Sequence, residues 1–167
     1  MRRHAVLLLL GLGLPVLLAG WISLDYTTES GAAWFAENRR DLLRLNAALL
    51  ARPQITWVEP ALRLQFIPNS KNFSADDLAA YREVEVMTKD LGVINIQAAR
   101  VGSQIDGELI TIRYLLKRRG FLFTSSDALI VAYTPNSKYL AHWQEEPGAQ
   151  IVPLDVEGWY AIVDHDD

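Results

Sequence analysis

Hydrophobic and polar positions follow three patterns along the chain. The first is an unbroken apolar run. After Met1, Arg2, Arg3 and His4, the stretch from Ala5 to Leu24 (AVLLLLGLGLPVLLAGWISL) carries no charge. A helix rises 1.5 Å per residue, so about 20 apolar residues cross a hydrocarbon core roughly 30 Å thick. Residues 1–24 therefore predict a membrane anchor. Arg2 and Arg3 flank its near end, and Trp21 and Tyr26 fall at the far end, where amphipathic rings prefer the headgroup layer. These four are the candidate membrane-interface residues. The positive-inside rule leaves the N-terminus in the cytoplasm and the rest of the chain outside the inner membrane, a single-pass topology. The competing reading is a cleaved signal peptide, which would leave a secreted or periplasmic protein. It has the basic start, and Pro15 breaks the helix. A cut after Gly20 would put Leu18 and Gly20 at the recognition positions, far from the small-residue pattern.

The second pattern is helical. Asp25 to Gly31 reads as a polar linker, and residues 32–167 as one domain. Within it Trp34, Leu42, Leu45 and Leu49 recur at helical spacing, with Phe35 beside them and Glu37, Arg40, Asp41 and Arg44 opposite. This predicts a helix over about Ala32 to Ala51, closed by Arg52-Pro53. Asn38 and Asn46 interrupt the apolar side, so the helix is expected to pack at a margin. A second helix is signalled by Ser74 with Asp77 three residues on, a capping-box variant, and by Phe73 and Leu78 as a hydrophobic staple. Its stripe is Ala80, Tyr81, Val84, Met87 and Leu91. Gly92 ends it in the left-handed conformation, with Val93 folding back.

The third pattern is alternation. Ile55–Val58 and Leu62–Ile67 read as short strands, the latter with Leu62, Leu64 and Phe66 inward. Val93–Val101 and Glu108–Lys117 flank the turn-rich GSQIDG, and Lys117-Arg118-Arg119-Gly120 reads as a turn into Phe121–Thr124. Then come Ala128–Thr134, the less regular Tyr139–Trp143, Ile151–Leu154 and Gly158–Val163. Short connections favour antiparallel neighbours. The expected fold class is α+β: an N-terminal transmembrane or signal helix, then one small domain with a mainly antiparallel sheet and two amphipathic helices.

Composition narrows the chemistry. The chain has 167 residues, a formal charge of −4 and no cysteine, so thiol catalysis, thiolate metal sites and lipoprotein acylation are excluded. With Arg2 and Arg3 set aside, the remainder holds 14 basic and 20 acidic residues, a charge of −6. That balance argues against general nucleic-acid binding. There are 3 histidines. His142 and Glu145, in YLAHWQEE, share one face if the segment is helical, and with the tail residue His165 they make a weak hydrolase or metal-assisted reading. No matching second ligand pair appears, and the bland reading is a surface histidine with a frayed acidic terminus. No metal or cofactor is expected. Ser103, Ser125 and Ser126 lie in turns without a nucleophile elbow. Asp106, Glu108 and Asp127 are candidate paired carboxylates.

Arg40 and Arg44 on the first helix, and Arg118 and Arg119 on the predicted turn, are the candidate partner-binding residues, toward anionic lipid or an acidic envelope protein. Trp57, Trp143, Trp159 and Tyr160 are candidate groove aromatics, with Trp159 and Tyr160 on opposite faces. The leading functional expectation is a non-enzymatic binding or scaffolding module of the cell envelope, docking through the sheet face or the first helix. The alternatives are a secreted or anchored hydrolase around His142, and a ligand sensor with a groove at Trp57 or Trp159.

Overall fold

Thr27 is in extended backbone and its hydroxyl accepts the Ser30 N–H at 3.2 Å, satisfying one of the donors a helix start leaves unpaired. Helix α1 (Thr28–Leu50) follows, 23 residues long. It begins ahead of the predicted Ala32 because this cap lies within the segment that reads as a linker. The computed structural model describes residues 25–103, 107–119, 127–145 and 148–165. The predicted anchor, with Arg2, Arg3 and Trp21, lies outside the described residues. Among the described residues, no helix is long and apolar enough to cross a membrane.

Phe35, Leu42, Leu45 and Leu49 of α1 are buried, as the stripe requires, and Trp34 is half-buried. Asn46 corrects the expectation of a marginal helix. It is 5% exposed and accepts a 2.7 Å hydrogen bond from the Tyr114 hydroxyl. A polar residue on the apolar side is here a buried tie, not a sign of exposure. Asn38 behaves locally, donating to the Trp34 carbonyl at 2.9 Å.

Helix α2 (Ala75–Asp90) has both signalled ends. The Ser74 hydroxyl accepts the Asp77 N–H, and the Asp77 carboxylate accepts the Ser74 N–H at 3.0 Å. Those bonds from Ser74 hold the exposed Asp77 carboxyl below its usual pKa. At the far end Gly92 has φ +68°. The Gly92 N–H donates to the Lys89 carbonyl at 3.0 Å and the Val93 N–H to the Thr88 carbonyl at 3.1 Å, a complete Schellman closure. Tyr81 and Val84 are buried together with Thr88, a polar residue outside the predicted stripe; its hydroxyl donates to the Val84 carbonyl at 2.6 Å.

Strands β1 (Trp57–Val58), β2 (Asn95–Arg100), β3 (Leu109–Arg119), β4 (Asp127–Tyr133), β5 (Gln150–Pro153) and β6 (Trp159–His165) form one sheet in the order β1-β2-β3-β4-β6-β5. All neighbours are antiparallel. A short helix α3 (Leu140–Glu145) precedes β5. The α+β class with an antiparallel sheet and two long helices is therefore as expected. Both helices pack on one sheet face. There Trp159 stacks on Tyr114 at 5.6 Å between ring centroids, with Phe35 at 5.2 Å and Tyr133 at 5.4 Å. Gly31 lets α1 approach the sheet closely: a Cβ there would lie 3.1 Å from Ala161 Cβ and 3.2 Å from Leu129 Cδ1.

Two predicted elements differ. Leu62–Ile67 is not a strand; Leu64–Phe66 is a 3-10 turn, with the Phe66 N–H on the Arg63 carbonyl at 2.9 Å and the Ile67 N–H on the Leu64 carbonyl at 3.0 Å. The rotation of a 3-10 turn breaks the expected alternation: Leu62 and Phe66 are exposed, Leu64 is half-buried and Ile67 is buried. Lys117, Arg118 and Arg119 are not a turn but the last residues of β3, paired with Leu129, Ala128 and Asp127. The predicted strand Phe121–Thr124 lies outside the described residues.

Candidate functional site

Side chains alternate across a strand, so the register fixes which residues share the sheet face turned away from α1 and α2. Trp57 is opposite Gln97, Gln97 opposite Arg113, Arg113 opposite Ala132, and Ala132 opposite Tyr160. The next rank is Asn95, Leu115, Ile130 and Ile162. This outer face has two halves. Over β4 and β6 it is apolar, with Ile130, Ala132 and Ile162 buried against Leu115, Ala128, Ile151 and Tyr160. Over β1 to β3 it is polar, with one large aromatic, Trp57.

A depression of about 240 Å³ lies on the polar half. Trp57, Asn95, Gln97 and Arg113 line one part of it, and Arg118 and Asp164 another; Leu115, Ala128 and Ile130 are its apolar lining. Two contacts hold its key groups in place. The Arg113 guanidinium donates to the Gln97 side-chain carbonyl. The Trp57 indole N–H donates to Glu59 Oε2 at 3.1 Å. An oriented guanidinium is a planar fork matched to carboxylate or amide oxygens, and a fixed indole is a flat apolar wall. Together with two amides and a carboxylate, these groups suit recognition of a polar surface.

The sequence-predicted residues scatter around this face. Arg118 lines the depression, and Arg119 is opposite Asp127. Arg40 is exposed on α1. Arg44 is exposed and pairs with Glu83 of α2 at 3.4 Å, beside a second depression of about 280 Å³ between the two helices lined by Asn38, Asp41 and Met87. Arg39 reaches the other way, to Asp155 at 2.7 Å. The basic side of α1 is thus divided between two ion pairs, not gathered into one patch. Tyr26 is half-buried, with Lys117 Nζ 4.6 Å from its ring centroid. Burial first, and then the Asp127 carboxylate, raise its phenol pKa, while Arg119 opposes them.

The segment holding His142 and Glu145 is helical, but the side chains of both, and of Trp143, lie outside what the structure describes. His165 is not part of a frayed end. It closes β6 opposite Asp127, and its Nδ1 is 2.7 Å from Asp127 Oδ1. Among the described residues, no group of three or more His, Cys, Asp or Glu is placed to hold a metal. Glu108 and Asp127 cannot act as a carboxylate pair. Glu108 precedes β3 and Asp127 is opposite its last residue, Arg119; at 3.2–3.4 Å per residue the strand separates them by roughly 30 Å or more. Glu108 is instead held by Lys138 at 2.9 Å and Asn136 at 3.1 Å. Asp106, Ser125 and Ser126 lie outside the described residues, as does the Ser103 side chain.

Of the aromatics, Trp159 is 2% exposed in the core, which removes it as a groove residue. Tyr160, on the opposite face, is half-buried, as alternation requires. Trp57 is half-buried and lines the outer-face depression. Sequence reading missed Asn95, Gln97 and Arg113. Their signal was the polar phase of β2 and β3, out of step with buried Ile96 and Ile112, and that phase reads equally well as a solvated face. No protein-family model matches the chain, and no match to it is found among curated proteins or solved structures.

Proposed function

We propose that this chain is a single-pass, membrane-anchored protein of the cell envelope whose α+β domain is a non-enzymatic binding module. The apolar run before Asp25 supplies the anchor, and the domain lies outside the inner membrane. Its partner docks on the outer sheet face. The observation that carries this reading is the depression where Trp57 and Arg113, each fixed by its own hydrogen bond, flank Gln97 on one face of an otherwise packed sheet. Pre-positioned aromatic and Arg side chains are the residue types that dominate binding energy at interfaces. An envelope protein exposing carboxylates or backbone carbonyls is the partner these groups suit. A hydrolase around His142 is not proposed, because no described side-chain geometry supports it.

The test is purification of the full chain from its own membrane in mild detergent, beside a Trp57→Ala/Arg113→Ala variant. A stoichiometric partner is expected with the parent chain and lost with the variant at equal membrane level and equal thermal midpoint. Retention of that partner by the variant, or its absence from both, overturns the reading.

A further inference from the structure

The junction between the apolar run and the domain is too short to be a flexible tether. Leu24 is the last residue of the run, Thr27 already caps α1, and Tyr26 between them is seated against Lys117 at 4.6 Å. Two residues reach at most about 7 Å when fully extended. A bilayer of about 40–45 Å with a core of about 30 Å leaves roughly 5–7 Å of headgroup on each side. Tyr26 therefore cannot leave the headgroup layer by more than a residue's length, and neither can the strand end it touches.

We propose that the domain is seated on the membrane by one defined end of its sheet, the end of β3 and start of β4, with Lys117 and Arg119 meeting lipid phosphates. This rests on the anchored reading above. The same end holds Ile94, which is exposed and whose N–H donates to the Leu115 carbonyl at 2.8 Å. Lys and Arg there can bond phosphate oxygens while their stems lie along the protein. Asp25, Asp127 and Asp164 share this end, and Asp127 is engaged by His165. The local charge is thus nearly balanced, so the contact acts at hydrogen-bond range and not by long-range attraction. Tether length brings this end to the bilayer, and the phosphate contacts hold it there. The opposite end, at the β5–β6 turn, points away from the bilayer.

The absence of cysteine makes single labels clean. Full chains carrying Ile94→Cys or Glu157→Cys, each spin-labelled, would be placed in phosphatidylcholine–phosphatidylglycerol nanodiscs containing a nickel-chelating headgroup lipid. The relaxation enhancement is expected to be severalfold larger at position 94 than at 157, and to fall at 94 when Lys117→Gln and Arg119→Gln are added. Equal enhancement at the two positions in chains that have entered the discs overturns the seating but leaves the anchor. A strong enhancement at 94 that the added substitutions do not lower overturns the phosphate contact. Chains that fail to enter discs at all overturn the anchored reading itself, and the seating with it.

Discussion

The Tyr114 hydroxyl and the Asn46 amide form the tie on which α1 and the centre of the sheet converge. Both residues are buried, and the bond between them is 2.7 Å. Removing one partner leaves a buried polar group unsatisfied, which costs about 1–3 kcal/mol. Asn46→Ala is therefore expected to lower stability by that amount in urea denaturation, and Asn46→Leu with Tyr114→Phe to recover much of it. Burial also raises the Tyr114 phenol pKa well above its usual value, with Tyr133 adding to the effect, and pushes Tyr81 up to about 12. In the unfolded chain both phenols titrate near about 10. Above that pH the folded state keeps protons the unfolded state has lost, so stability is full below about pH 10 and declines as pH rises through and beyond it. Urea midpoints measured at about pH 8 and about pH 11 should show that fall, and Tyr81→Phe should flatten it. None of this was legible residue by residue. An Asn on a helix stripe reads as an interruption until its partner, 68 positions away, is known.

Element ends and crossings obey more local rules. Ser74, Asp77 and Gly92 act within a few residues of themselves, and their roles were readable before any fold was known. Gly92 has open space where a Cβ would stand but a φ of +68°, so Gly92→Ala tests backbone conformation alone and should cost about 1–2 kcal/mol. Gly31 is the reverse case. It lies in an ordinary helix, but the sheet is its neighbour, with Ala161 Cβ at 3.1 Å and Leu129 Cδ1 at 3.2 Å from the place its own Cβ would take. Gly31→Val must push α1 off β4 and β6, a destabilisation of about 1–3 kcal/mol or more. Its readout is a lower thermal midpoint with a disturbed near-ultraviolet signal from Trp159. Nothing in the local sequence distinguishes Gly31 from a linker glycine, which is how it reads there. The mismatch at Leu62–Ile67 has the same origin. Alternation over six residues suits a strand, but a strand needs a neighbour, and here the Phe66 and Ile67 N–H groups turn back onto the Arg63 and Leu64 carbonyls instead.

At the scale of the whole molecule, the predicted anchor and the folded domain make separable claims. The full chain should be recovered in the membrane fraction, with residues 1–24 intact by mass spectrometry. A soluble species beginning near Trp21 would favour the cleaved-signal alternative. The sequence by itself determined the features that depend on neighbours along the chain: the apolar run, the two long helices with the caps of the second, the alternation of β2, β3 and β6, and hence an antiparallel α+β domain. Only the tertiary structure decided which polar phase faces solvent and which faces the core, that Trp57, Gln97 and Arg113 stand side by side, and that Tyr26 meets Lys117. The physical reason is range. Helix caps and period-2 patterns are set by backbone geometry over a few residues, whereas a binding face is made by strands whose register is fixed through distant pairings that no local pattern encodes.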